Sequence, residues 1–174
     1  MALTKLRSGG ISDDAVVAAA LATDSVGADA LSSSAIASSD LPAGSVLQVV
    51  HAEKQDAINQ TSSTYTDTGL EASITPSSTS NKILVMVQGN GGQSTANRSG
   101  KLRVIRGGST EVAQTSHFTT MANAALPFVV HVLDSPSTTS ALTYEVQTKT
   151  AGAGSMNWLN SENFGHLTLI EIAG

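Results

Sequence analysis

Lys82-Ile83-Leu84-Val85-Met86-Val87-Gln88 is the most hydrophobic run of the chain, and its reading decides the fold. Its apolar residues are consecutive, so an extended segment here is apolar on both faces. That is the pattern of a central strand covered on both sides. Working outward, Pro76-Ser77-Ser78-Thr79-Ser80-Asn81 is a turn before it, and residues 89–97 form a Gly/Ser/Asn loop after it. Further strands are expected at 46–50, 63–66 and 70–75. Leu102-Arg103-Val104-Ile105-Arg106 and Thr110-Glu111-Val112-Ala113 flank Gly107-Gly108-Ser109, a hairpin signal. Residues 126–133 form another buried strand, closed by a turn at 136–140.

Leu142-Thr143-Tyr144-Glu145-Val146-Gln147-Thr148 alternates cleanly, as a strand with one buried face must. Ala151-Gly152-Ala153-Gly154 breaks the pattern, residues 157–159 resume it, and 166–172 form the last strand. Turn signals every 8 to 12 residues or so, with no convincing helix, predict an all-β protein. The expected architecture is an antiparallel β-sandwich or jelly roll of eight or nine strands.

The first quarter has a different texture. Ile11, Val16, Leu21, Val26, Leu31, Ile36, Leu41 and Val46 recur at a spacing of five, and ten-residue rows from 11 to 50 align column by column. This is an internal repeat. Five suits neither regular period: on a helix the ladder spirals around the cylinder, and on a strand it alternates faces. Short extended pieces joined by Asp, Ser and Gly turns fit better. Burial of these aliphatics falls short of the entropy lost on ordering the segment, so its order needs partner surface. Identical chains around a shared axis supply that surface, because each ladder residue meets its own copies. A flexible Ala/Ser-rich linker is the alternative reading. Leu41-Pro42-Ala43-Gly44 closes the repeat. The expected division is therefore an N-terminal anchor or stalk, residues 1–42, and a β-sandwich head, residues 43–174. Ile11, Val16, Leu21, Val26, Leu31, Ile36 and Leu41 are the candidate oligomerisation residues.

The chain has 174 residues, 13% charged and 3% aromatic, with net charge −5 and no cysteine. Disulfides and thiolate metal sites are excluded. The acidic balance gives no electrostatic footprint for nucleic acid. Val16 to Ala22 is too short for a membrane span, and acidic Asp13 and Asp14 before it rule out a secretion signal.

Catalytic patterns are missing from the sequence. No serine sits in a Gly-x-Ser-x-Gly elbow, and Gly89-Asn90-Gly91-Gly92 lacks the Lys-Ser/Thr of a phosphate loop. His51, His117, His131 and His166 show no metal-ligand spacing and read as four solitary histidines. Glu53, Asp56, Asp67 and Glu71 flank a polar stretch without the density of a calcium loop. No cofactor and no metal are expected. Arg98, Lys101, Arg103 and Arg106 form the one basic cluster, which reads either as a contact for an acidic partner or as a solvated strand face. Trp158, the lone tryptophan, is a candidate for stacking on sugar rings or for the core. The candidate surface-recognition residues are Arg98, Lys101, Arg103 and Trp158.

The decads in DDAVVAAALATDSVGADALSSSAI resemble the Ala-Val and Ala-Ile repeats of bacteriophage fibre and spike proteins, of the marine and cyanobacterial phage type. GSVLQVV from Gly44, GLEASITPSS from Gly69 and KILV from Lys82 are similar to the globular domain that often follows them. The resemblance covers nearly the whole chain and rests on texture and short motifs. It implies a non-enzymatic, homotrimeric virion protein with an N-terminal stalk and a jelly-roll head, a tail fibre, spike or head fibre that presents the head for host attachment. The implied partners are its own copies, other capsid or tail proteins, and a host surface glycan or protein, with no nucleic acid and no membrane insertion. Two further readings stand beside it: a capsid decoration protein, and a carbohydrate-binding β-domain.

Overall fold

The computed structural model describes residues 36–92, 98–115, 118–120, 125–151, 155–158 and 165–174. The chain divides into two units, Met1–Asp40 and Leu41–Gly174. Of the first, residues 36–40 are described, with a single 3-10 turn at Ser38–Asp40 in which Asp40 accepts from the Ala37 amide at 2.8 Å. The ladder positions Ile11 to Leu31 lie outside the described residues. Ile36 and Leu41 are exposed.

The second unit is all-β. Its strands are β1 (Val46–Lys54), β2 (Ile58–Gln60), β3 (Thr66–Ile74), β4 (Lys82–Gly92), β5 (Arg98–Arg106), β6 (Thr110–Gln114), β7 (Phe118–Thr120), β8 (Ala125–Asp134), β9 (Leu142–Ala151), β10 (Met156–Trp158) and β11 (Gly165–Ile172). Every pairing is antiparallel. The eight longer strands form two four-stranded layers, β1-β11-β4-β8 and β3-β9-β5-β6. That interleaved order, in which the eight strands cross between sheets at every connection except the β5–β6 hairpin, is the jelly-roll arrangement. Short β10 and β2 extend the first sheet past the end of β11, and β7 extends the second.

The run at 82–88 is central as expected, paired with β11 on one side and β8 on the other. Three boundaries differ from the sequence reading. Gly89 to Gly92 does not loop but continues β4, because β8 and β10 supply ladder partners that small residues accept at close approach. The strand expected at 70–75 forms as β3 but starts at Thr66 and bulges at Gly69, whose φ of +70° only glycine adopts without strain, while residues 63–65 of the expected strand at 63–66 lie outside it. Short β2 and β7, three residues each, carry too little pattern to be read from sequence. The Gly107-Gly108 turn forms as expected, both glycines having positive φ. Pro127 sits in β8, which pairs with β4 alone and so is an edge strand, the place in a sheet where proline is tolerated.

The core lies between the layers. Ile83, Val85, Val87, Leu167, Leu169 and Val130 of the larger sheet meet Leu70, Ile74, Leu102, Val104, Tyr144 and Val146 of the smaller one. Trp158 is fully buried at one end, edge-on to Phe128 with ring centroids 5.5 Å apart. Gly100 makes room for it: a Cβ there would stand 2.1 Å from the Met156 sulfur and 2.8 Å from Trp158 Cζ2. Burial in the core removes Trp158 from the surface-recognition set.

Two polar knots close the sandwich. Glu171 is 1% exposed and in phase with Leu167 and Leu169, so its carboxylate points inward. It accepts from Gln48 Nε2, from the Ser77 amide at 2.6 Å and hydroxyl at 2.9 Å, and from Asn81 Nδ2 at 2.6 Å. Burial alone would raise its pKa, but these donors outweigh it and hold the carboxyl below its ordinary value. The knot joins β1, β11 and the β3–β4 turn. At the other edge Asp134 accepts from Arg106 and from the Tyr144 hydroxyl, linking β8 to β5 and β9. Burial and then the Asp134 carboxylate push the Tyr144 phenol far above its ordinary value.

Candidate functional site

The outward face of the larger sheet is built by the residues that alternate with the core. Register places Val49 beside Ile170, Ile170 beside Leu84, and Leu84 beside Leu133, an aliphatic row across all four strands. The next row is His51, Thr168, Met86 and His131. The third is Glu53, His166, Gln88 and Val129. Val46, Val49 and Val129 are each 58% exposed and Leu133 is 50% exposed. Scattered exposed aliphatics are ordinary, but an aliphatic row that runs unbroken across four strands marks a strip made to be covered.

One corner of this face is polar. His51 and Glu53 are two apart on β1 and share a side, and His166 lies directly opposite Glu53 on β11. The two imidazoles stack, with centroids 5.4 Å apart and planes 27° apart. His51 Nδ1 lies 3.0 Å from the Thr168 hydroxyl. One donor atom from each of His51, Glu53 and His166 falls within 4.8 Å of the others. The expectation of four solitary histidines is therefore corrected for two of them. The sequence showed the His-x-Glu pair on β1, but antiparallel register alone brings His166 to it from more than a hundred residues away. His131 stands two strands from this corner, and His117 lies outside the described residues.

The smaller sheet presents the opposite character. Arg103 donates to Gln147 at 2.7 and 2.9 Å and pairs with Glu111 at 3.4 Å. Lys101 donates to Gln114 at 3.1 Å. Arg103 and Lys149 both lie against the Tyr65 ring, at 4.2 and 4.5 Å from its centroid. Arg98 opens β5 opposite Thr120. Arg106 joins the Asp134 knot at the sandwich edge instead of the basic cluster. The side chains of Lys101 and Arg103 are thus engaged by their own sheet. Asp56 pairs with Lys54, and Asp67 accepts from the Gly69 amide, so these carboxylates serve local structure and do not converge with Glu53. The stretches 89–98, 119–125 and 151–157 lie partly in β4, β5, β7, β8, β9 and β10, and partly outside the described residues. Among the described residues no helix is long and apolar enough to cross a membrane.

No protein-family model and no curated protein match the chain. Among solved structures it is similar to capsid structures of infectious bursal disease virus. One, of the Gx strain, is 12% identical with a TM-score of 0.46, covering 71% of this chain and 32% of that one. The VP2 subviral particle of the same virus is 12% identical with a TM-score of 0.45, covering 73% and 33%. A Bacillus endospore appendage protein that forms disulfide-linked pili is 12% identical with a TM-score of 0.36, covering 77% and 96%. The chain spans about a third of the length of the viral proteins it matches.

Proposed function

We propose that this chain is a non-enzymatic structural protein of a virus particle, a trimeric fibre or spike whose N-terminal repeat holds the copies together and joins them to the particle. The jelly-roll unit is then the head that it presents for attachment. The observation that carries this reading is one aliphatic row on the outward face of the larger sheet, Val49, Ile170, Leu84 and Leu133, exposed at its two ends and half-exposed between them in the single chain. Water-exposed aliphatic area of this kind favours association at roughly 25 cal/mol per Å² of apolar surface covered. A second support is the five-residue aliphatic ladder, which needs partner surface to become ordered.

Solution mass of the full chain tests the proposal. A trimer is expected at micromolar concentration, dissociating at higher protein concentration than wild type when Val49→Lys and Leu133→Lys remove the contribution of the face beside that of the repeat. A wild-type chain that stays monomeric would sink the trimeric fibre and move the assignment to a capsid decoration protein, whose N-terminal segment orders only on the particle.

A further inference from the structure

We propose that His51, Glu53 and His166 form a binding site for a borderline divalent cation of the zinc class, on the outward corner of the β1–β11 pair. The site stands on geometry that does not depend on the assembly reading. Two imidazoles and one carboxylate converge from adjacent strands, each offering a donor atom within 4.8 Å of the others. The donor set decides the class of ion. Calcium and magnesium take oxygen ligands, whereas two imidazole nitrogens with a carboxylate suit zinc and its transition-metal neighbours.

Zinc holds its ligands at about 2.0–2.1 Å, which sets tetrahedral donors roughly 3.4 Å apart. The present separation closes to that by rotation of the exposed Glu53 side chain and a tilt of His51 about its contact with Thr168. The backbone is already fixed, because Glu53 faces His166 and His51 faces Thr168 in an unbroken stretch of ladder. Thr168 supplies the outer contact. His51 Nδ1 lies 3.0 Å from its hydroxyl, and in the tautomer that donates from Nδ1–H, Nε2 carries the lone pair for the metal. Ring stacking between His51 and His166 holds both imidazoles on one side of the sheet. Three protein ligands leave one tetrahedral position, open to water on this exposed corner.

Titration of the untagged full chain with zinc chloride, followed by calorimetry, tests the site. One ion per chain is expected, with binding lost in His166→Ala and in His51→Ala and unchanged in His131→Ala. In parallel, the ring proton resonances of His51 and His166 are expected to shift on zinc addition while that of His131 stays in place. Absence of saturable binding by the wild-type chain overturns the proposal. So does binding that survives in the His51→Ala, His166→Ala double variant. All three variants lie on exposed or half-exposed positions, and their unchanged melting temperatures without zinc separate lost ligands from lost fold.

Discussion

The two sheets of the sandwich share one core but present opposite outer faces. On the smaller sheet Lys101 donates to Gln114, and Arg103 binds Gln147, Glu111 and the Tyr65 ring, so the face is satisfied in water. On the larger sheet the equivalent positions are Val49, Ile170, Leu84 and Leu133, which have nothing polar to offer. A strand with an apolar inner face needs only polar residues outside to be soluble, and the smaller sheet follows that rule. The larger sheet departs from it on all four strands at once. Departure at one position is noise; departure along a continuous row implies that the row is covered.

The sharpest way to break this comparison uses neighbouring residues on β11. Leu169 faces the core and Ile170 faces out, so Leu169→Ala is expected to cost about 2–5 kcal/mol in urea unfolding at every protein concentration. Ile170→Ala is expected to cost less, with a penalty that grows as concentration rises and the face becomes covered. An Ile170 penalty independent of concentration would mean that the outer row contributes only within the single chain. Next in size is Gly100→Ala, expected to destabilise by about 1–3 kcal/mol because its methyl meets Met156 and Trp158, read as a lowered melting temperature.

Glu171→Gln comes third, at about 1–3 kcal/mol near neutral pH, since an amide cannot accept from all the donors that face the carboxylate. The sign of its pH dependence follows from a lowered folded-state pKa. The stabilisation is full above the ordinary carboxylate pKa and is lost as pH falls through the folded value. Urea curves of wild type and variant should therefore converge in acid; a gap that persists there would assign the effect to packing. The smallest effect belongs to the polar outer face. Arg103→Met removes the Glu111 ion pair, the bonds to Gln147 and the Tyr65 contact on a solvated face, and is expected to change stability by about 1 kcal/mol without altering solution mass. A change of mass there would place an interface on the smaller sheet and undo the contrast.

Much of the fold was legible in local pattern. KILVMVQ, LTYEVQT and HLTLIEI carry their strand character in consecutive residues, and Gly107-Gly108 carries its turn in the lack of a Cβ. Glu171 was not read from the sequence: its inward carboxylate is tolerated only because Gln48, Ser77 and Asn81, distant in the chain, donate to it. Trp158 gave no local signal that separated a loop tip from the core. Its burial depends on Gly100 and Phe128, which come from other strands.

The sequence by itself determined the β class, the position of the central strand, the main turns and the five-residue ladder, because each is a matter of period and of residues near in the chain. Tertiary structure decided which strands became neighbours. Register between β1, β11, β4 and β8 assembled the aliphatic row and brought His51 and Glu53 to His166. Such pairings join residues far apart in sequence, and they are selected by burial of the whole core, an energy that no local window contains.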